Sequence, residues 1–174
     1  MACNELENII KGCDNNTGGI YTAYVGDMDD IASITEDQAT WSITAMTLLA
    51  LTPALSFYFK RNTSNYTDEG ASDLIAGSSF YTSTINLVFH RRDADKSKAI
   101  KIIGEGQRYL YVVIGDANGT YWYFPYMQLT ANAGGSGTAR ADGSNYNVTL
   151  VGQNEFSAYT ISEAIAASLL VATS

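Results

Sequence analysis

Charge is scarce in this chain, and basic charge is the scarcest. Charged residues make up 16% of 174, and ten lysines and arginines stand against eighteen acids, which gives a net charge of −8. An average soluble domain carries about 25% charged residues, so this surface favours a subunit that hides much of itself in an assembly. A protein that binds nucleic acid by neutralising phosphates needs clustered lysine and arginine, and the acidic balance argues against that class.

Cysteine and histidine are nearly absent. Cys3 and Cys13 leave a disulfide open as an alternative, but they provide neither a secreted disulfide framework nor a four-ligand zinc site. His90 stands beside Arg91 and Arg92 without a nearby cysteine or serine partner, so a nucleophilic triad is not indicated. Paired carboxylates for hydrolysis have no positive support. We therefore expect no enzyme, with no catalytic residue, no metal and no cofactor.

An uncharged run of 21 residues, 39–59, is long enough to be mistaken for a membrane span. Pro53 interrupts it, and apolar and polar residues alternate with period two on both sides of the proline. This pattern predicts a strand, a turn and a strand, over about 39–49 and 53–61, and no membrane partner. The N-terminus lacks the long apolar region of a signal peptide.

Short alternating segments separated by turn residues predict a mainly β fold, a β-sandwich or barrel. The main strands are expected at 20–27, 78–92, 110–114, 121–126 and 146–152. A change of period predicts one short α-helix at about 94–103, with Asp93 or Asp95 as N-cap and Gly104 just past its end. The C-terminal segment 161–174 stays open between helix and strand.

The expected organisation is an N-terminal arm, residues 1–19, followed by a single β domain, residues 20–174. Two long assembly loops are expected to be flexible. The polar segment 62–73 is predicted to be a loop, or a strand with an irregular excursion, and the segment 130–145 is rich in glycine, serine and alanine.

Residues 112–129, VVIGDANGTYWYFPYMQL, place five aromatic rings behind a tight turn. The Asp-Ala-Asn-Gly sequence at 116–119 suits a hairpin turn because asparagine and glycine accept a positive φ, and it lacks the glutamate of a calcium loop. Alternation puts Tyr121, Tyr123 and Pro125 on one face. Trp122, Phe124 and Tyr126 fall on the other face. One face must enter the core, and the other is then a partner surface or is covered by the glycine-rich loop.

The order of these segments resembles the tail tube proteins of tailed bacteriophages and the related virion-protein fold. The resemblance covers residues 20–152. It depends on the long strand STINLVFHRR followed by the helical DADKSKAIKIIGEG, on the D-x-N-G-x-Y-W hairpin, and on AGGSGTARADGSNYNVTLVG, which ends in a strand. Two departures stand out: Phe124-Pro125-Tyr126 replaces an expected glycine, and the C-terminal tail matches no part of the pattern.

The resemblance implies a virion subunit that forms hexameric rings, stacked head to tail into a tube that conducts double-stranded DNA during ejection. The protein would be made in the bacterial host cytoplasm and would end in the virion tail. Its partners would be copies of itself, other tail proteins, and DNA that passes without specific binding. Alternatives are another virion component (a head–tail connector, a baseplate or a capsid decoration protein) or a carbohydrate-binding β module that uses the Tyr121–Tyr126 strand.

Two groups of residues are expected to serve such an assembly. The subunit interface is predicted at Tyr121, Trp122, Tyr123, Phe124, Tyr126, Gly134, Gly135, Ser136 and Gly137. A conduit for DNA should repel phosphates and therefore be lined by acids. The predicted lumen-facing acids are Asp27, Asp29, Asp30, Glu36 and Asp37. The sequence GDMDD at 26–30 is also a better candidate for a calcium site than residues 116–119. Such an acidic sequence is nevertheless more often a solvent-exposed turn.

Overall fold

The computed structural model describes residues 9, 15–59, 62–73, 75, 77–139 and 141–171. Within these ranges the chain is mainly β, as the alternating pattern predicts. The strands are β1 Ile20–Asp27, β2 Ile31–Asp37, β3 Ser42–Leu48, β4 Leu55–Phe57, β5 Asn65–Asp73, β6 Ser78–His90, β7 Leu110–Asp116, β8 Tyr121–Gly135, β9 Asn145–Asn154 and β10 Tyr159–Ile161. The helices are α1 Ala94–Gly104 and α2 Glu163–Ser168, and short 3₁₀ turns lie at Met28–Asp30 and Glu105–Gln107.

Two β layers share strand β8. The larger layer has the strand order β2-β3-β10-β8-β7-β1-β4, and the smaller layer runs β8-β9-β6-β5. Residues 121–127 of β8 pair with β7 and β10, whereas residues 128–135 pair with β9. Neighbouring strands are antiparallel except β3 and β10, which run parallel. The prediction of a sandwich-like or barrel-like β fold is confirmed.

A β-bulge at Pro125 and Tyr126 turns β8 from one layer into the other. Leu110 pairs with Met127 and Val112 with Phe124, so two residues of β8 stand opposite Tyr111. Tyr126 has a φ of 53°, in the left-handed region that a bulky side chain rarely adopts. Proline inside a strand is found chiefly at such bulges, since it has no N–H for the ladder. Strands that change sheets commonly turn at a bulge.

The space between the layers is filled by the first of two apolar cores. The larger layer contributes Ala23, Val25, Val112, Ile114 and Phe124 to it. From the smaller layer come Ile85, Leu87, Phe89, Tyr146, Val148 and Leu150. Ile85 and Leu87 are fully buried, which confirms the predicted core face of the long strand β6. Each large side chain buried in this way stabilises the fold by about 1.5–3 kcal/mol relative to exposure.

The second core lies on the opposite face of the β7–β8 hairpin. Tyr111, Val113 and Tyr123 project into it from the hairpin. They meet Ile43 and Met46 of β3, Tyr159 and Ile161 of β10, and Ala166 and Leu169 of the α2 region. The expectation that the second hairpin face is a partner surface or is covered by the glycine-rich loop is therefore wrong. Strands β3 and β10 and helix α2 of the same chain cover it.

Helix α1 forms close to where the change of period predicts it. Asp93 is its N-cap, and its carboxylate accepts a hydrogen bond from the backbone N–H of Lys96 (2.8 Å). Hydrogen bonding from Lys96 also lowers the pKa of Asp93. Gly104 is not the residue past the end: it is helical, at φ −83°, and Gly106 takes the positive φ of 72°. Gly104 packs closely on β8, and a Cβ there would lie 2.8 Å from the Leu129 side chain, which would have to shift.

Three stretches differ from the predicted loops and strands. Residues 31–37 form β2, whose two register irregularities break the period-two pattern that would have revealed it. Residues 65–73 form β5 rather than a loop, so the strand alternative holds for that segment. The predicted loop 130–145 is wrong at its start, because residues 130–135 continue β8 and pair with β9. The C-terminal segment 161–174, for which the sequence leaves both helix and strand as alternatives, begins with the last residue of β10 and continues into helix α2.

The predicted N-terminal arm is described only at residue 9 and at residues 15–19, and Cys3 and Cys13 lie outside the described residues. Thr17 donates its backbone N–H to the Asn118 side chain (2.7 Å). Ala117 donates its own to the carbonyl oxygen of Gly19 (3.0 Å). This end of the arm is thus bound to the β7–β8 turn. No helix in the described ranges is long and apolar enough to cross a membrane.

The β7–β8 turn is held by the carboxylate of Asp116. One oxygen accepts the backbone N–H groups of Asn118 and Thr120, both at 2.9 Å. The other accepts the indole N–H of Trp122 at 3.0 Å. Gly119 takes a φ of 83°, as the turn sequence predicts. The D-x-N-G-x-Y-W sequence is therefore a structural unit in which the acid fixes both the turn and the tryptophan.

Replacing Asp116 with alanine removes all three acceptor contacts. We expect D116A to lower the free energy of unfolding by about 2 kcal/mol, measured by chemical denaturation. The control is E69A, which removes an exposed carboxylate from β5 and should change stability by less than about 0.5 kcal/mol. Equal stability of D116A and the unmodified protein would contradict the assigned role.

Tyr111 is fully buried in the second core, and no described group lies within hydrogen-bonding distance of its hydroxyl. Burial raises the pKa of Tyr111 well above its ordinary value of 10.0, and nearby Asp30 adds to the shift. Burial also raises the pKa of Tyr123 in the same core. Because the folded state holds these protons more tightly than the unfolded state, stability should fall as pH rises above about 10.

Replacing Tyr111 with phenylalanine removes this unpaired hydroxyl and keeps the ring. We expect Y111F to be neutral or up to about 1 kcal/mol more stable at pH 7. Above pH 10 its stability should fall less steeply with pH than that of the unmodified protein, by up to about 1.4 kcal/mol per pH unit. Denaturation curves at pH 7 to 11.5, with Y58F as the exposed control, test both statements, and a steeper alkaline loss in Y111F would contradict them.

Candidate assembly surfaces

Most of the predicted aromatic interface is buried inside the subunit. Tyr123 and Phe124 are 1% and 0% exposed, and they belong to the two different cores. Tyr121 and Trp122 are half-buried against the same two cores. Tyr123 and Phe124 therefore have no surface left for a partner, whereas Tyr121 and Trp122 are still partly exposed, and the interface prediction stays a prediction for those two. Tyr126, turned outward by the bulge, is 52% exposed.

The glycine-rich part of the predicted interface is accessible. Gly134 and Gly135 end β8, Ser136 and Gly137 begin the loop to β9, and all four are exposed. The loop has local order, because the Asp142 carboxylate accepts the backbone N–H groups of Thr138 (2.8 Å) and Ala139 (2.7 Å). These hydrogen bonds lower the pKa of Asp142. This loop remains available for contacts with other subunits.

The five predicted lumen acids do not form one cluster. Asp27, Asp29 and Asp30 surround the 3₁₀ turn before β2, whereas Glu36 and Asp37 end β2. A seven-residue strand separates the two groups by roughly 20 Å. Asp37 accepts hydrogen bonds from Thr40 (2.7 Å) and from the backbone of Ala39 (2.9 Å), which lower its pKa.

The first acidic group is partly neutralised. Asp27 pairs with Arg108, which follows α1, at 3.3 Å. Partial burial, together with Asp27 and Asp29, raises the pKa of Asp30. Of the five acids, only Asp27 has a salt-bridge partner among the described residues, and Glu36 and Asp37 lie farthest from that pair along the chain.

An apolar groove between β4 and α1 is a feature that the sequence analysis missed. One cavity of about 330 Å³ lies between Leu55, Phe57 and Tyr58 on one side and Ala99, Ile100 and Ile103 on the other. A second of about 300 Å³ shares Leu55, Phe57 and Ile103 and extends to Leu51 and Ile102. We call the two together the apolar groove. The signal was present in the uncharged run 39–59, but its exposure could not be read from composition.

The side chains along the apolar groove are unusually exposed for their type. Tyr58 is 87% exposed, Leu51 75%, Leu55 61% and Ile102 42%. Contiguous exposed apolar surface of this kind marks an interaction site. The cations at its rim, Lys96 and Arg108, each pair with a carboxylate of this chain, Asp93 and Asp27 respectively. Asp30 also lines the second cavity, so the groove combines apolar side chains with a few charges at its rim.

A second exposed feature lies at the β8 bulge. The rings of Tyr109 and Tyr126 meet edge to face, with centroids 5.9 Å apart and planes at 81°. They border an open cavity of about 400 Å³ whose remaining lining residues are Gln128, Thr130, Val151, Gly152 and Gln153. We call this the tyrosine site. Tyr109 had no place in the sequence analysis, because nothing in the pattern placed it beside Tyr126.

The described residues contain no group of three or more histidines, cysteines, aspartates or glutamates placed to hold a metal ion. His90 ends β6 at the surface. No protein-family model matches the chain, and no curated protein matches it either. Its function is therefore argued from its fold and its surfaces.

The positive φ at Tyr126 should affect how substitutions at this position change the stability of the fold. Y126G and Y126A both lose the ring, but glycine adopts this conformation without the steric cost that alanine bears. We expect Y126G to be more stable than Y126A by about 1 kcal/mol, measured by thermal or chemical denaturation. The same pair of substitutions at Asn132, an exposed β8 position in regular register with Val148, should show the opposite order, because glycine weakens an ordinary strand. The same order at both positions would contradict a strained bulge.

Proposed function

We propose that this chain is a structural subunit of a bacteriophage virion, and specifically the major tail tube protein. Copies would form rings that stack head to tail, and the lumen would conduct double-stranded DNA during ejection. The subunit would also contact other tail proteins, and it would catalyse no reaction. The two-layered β fold with a helix against its inter-layer core agrees with the architecture that the sequence resemblance implies.

The apolar groove is the observation that carries this proposal. A subunit with four large, exposed apolar side chains along one groove is costly to leave in water. Binding of the groove to a different surface of the next copy would be a heterologous contact. Such heterologous contacts produce rings when they close and filaments when they do not.

The open edge beside the groove supports the same conclusion. Strand β4 has three residues and, among the described residues, pairs only with β1. Its outer backbone groups are therefore available to a strand or loop of another subunit. The exposed loop after Gly135 is a candidate for this role, because its backbone is accessible and rich in glycine.

The charge distribution fits a conduit for DNA. A wall that slides along DNA should carry acids and few cations, because lysine and arginine would bind phosphates and slow passage. Of the predicted lumen acids, Glu36 and Asp37 are the stronger candidates. Asp27 is the weakest, since Arg108 offsets its charge. Asp29 and Asp30 lie beside that ion pair.

The groove also suits other virion roles, such as a head–tail connector, a baseplate component or a capsid decoration protein. Each would bury the same apolar side chains, but the assembled forms differ. A tube protein should form open-ended stacks of rings, a connector or baseplate protein a closed ring, and a decoration protein a small oligomer or a monomer without its capsid.

The first test is assembly of the purified chain. We expect rings or tubes by negative-stain electron microscopy, and a concentration-dependent increase in sedimentation coefficient. The variant L55E places a charge in the apolar groove and should weaken self-association at least about tenfold, since a central apolar anchor contributes more than about 1.4 kcal/mol. A three-dimensional reconstruction should show acids, led by Glu36 and Asp37, on the inner wall.

The matched control is T67E, which adds the same charge at an exposed position of β5 and should assemble normally. Far-UV circular dichroism must show that both variants keep the fold. A chain that stays monomeric at every concentration, or that assembles equally well as L55E, would contradict the role of the groove. A neutral or basic inner wall would contradict a DNA conduit.

A further inference from the structure

We propose that the tyrosine site, formed by Tyr109 and Tyr126 beside Gln128 and Gln153, binds a neutral carbohydrate. The site lies at the β8 bulge, whereas the apolar groove lies between β4 and α1, and the two share no lining residue. The inference therefore does not depend on the proposed tube, and a tube subunit could carry such a site on its outer surface.

The two rings provide the apolar part of a sugar site. Tyr109 and Tyr126 are 53% and 52% exposed, so each ring is half open to solvent. Their planes stand at 81°, which makes an aromatic corner rather than a flat patch. The C–H-bearing face of a pyranose can pack on one ring while its edge meets the other. Tyrosine suits this task because it presents a large rigid surface with only two rotatable side-chain bonds.

The other lining groups provide the polar part. Gln128 donates its amide N–H to the carbonyl oxygen of Gln107 at 2.7 Å, which holds the side chain in place. Gln153 is exposed at the opposite strand, β9, and Thr130 is exposed on β8. A primary amide donates and accepts, so two amides can match the paired hydroxyls of a sugar ring. A few fixed polar groups beside aromatic surface are what a small-ligand site requires.

The charge of the site selects the class of ligand. None of the seven residues that line the cavity carries a formal charge. A phosphorylated, sulfated or carboxylated ligand would find no cation there, and the whole chain, at −8, repels anions. Nucleic acid is disfavoured for the same reason, although its bases also stack on tyrosine. A neutral hexose or N-acetylhexosamine chain remains as the ligand whose chemistry fits.

The backbone holds the site in its shape. Tyr126 projects outward because the bulge gives it a φ of 53°, and strained residues of this kind persist where the surroundings fix them. The side-chain amide of Asn154 donates to the carbonyl oxygen of Pro125 at 3.2 Å. Gly152 allows the strands to approach, since a Cβ there would lie 2.6 Å from the Met127 sulfur. A rigid site loses little conformational entropy when it binds.

The test is direct binding of oligosaccharides to the full chain. The neutral panel is cellohexaose, maltohexaose, mannohexaose, xylohexaose and chitohexaose, with trigalacturonic acid as the charged comparison, measured by saturation-transfer NMR and calorimetry. We expect one or more neutral oligosaccharides to bind with a Kd below about 1 mM, and trigalacturonic acid not to bind. Y109A and Y126A should each weaken binding at least tenfold, Q153A about fivefold, and Y126F less than threefold.

The control Y58A removes an exposed tyrosine from the apolar groove and should leave sugar binding unchanged. If Y126A folds poorly, Y126G replaces it, because glycine suits the backbone of the bulge. L55E should still bind sugar even where it no longer assembles, which separates this proposal from the proposed function. Failure of every neutral oligosaccharide to bind, binding that survives in both Y109A and Y126A, or loss of self-association in Y126A would overturn the proposal.

Discussion

Burial of the β7–β8 hairpin on both faces is the constraint on which the rest of the structure depends. Tyr111, Val113 and Tyr123 belong to one core, and Val112 and Phe124 to the other. An antiparallel strand usually buries one face and exposes the other to solvent. This hairpin is apolar on both faces and therefore needs covering elements on both sides. The smaller layer covers one side, and β3, β10 and α2 cover the other. Asp116 then fixes the turn that sets the register of both strands.

Double burial also determines which surfaces remain for function. The aromatic side chains that look like an interface in the sequence are used inside the subunit, and only the bulge brings one of them, Tyr126, back to the surface. The apolar groove arises for a different reason: β4 is too short to shield the apolar face of α1. Assembly and sugar binding are thus proposed for separate surfaces. The apolar groove exists because β4 is short, and the tyrosine site exists because the bulge in β8 turns Tyr126 outward.

Much of the fold could be predicted from the sequence where period two is sustained, as in β6 and in the part of the β7–β8 hairpin between the turn and the bulge. Prediction from the alternating pattern failed where a bulge shifts the alternation, as in β2 and at Tyr126. It also failed where a strand buries few side chains, as in the edge strand β5. The acids predicted to face a lumen are neighbours in sequence but lie at both ends of strand β2. Tyr109 and the apolar groove depend on contacts between distant segments, which no local pattern reports.

Strand β8 passes without a break from one layer into the other. In a sandwich whose layers are joined only by packing and loops, a pulling force can slide one sheet over the other. Here the same load is carried along a covalent backbone that is hydrogen-bonded to β7 at one end and to β9 at the other. Sliding would require unzipping β8 from a whole set of partners at once. We therefore expect the mechanical strength of the subunit to reside in that shared strand.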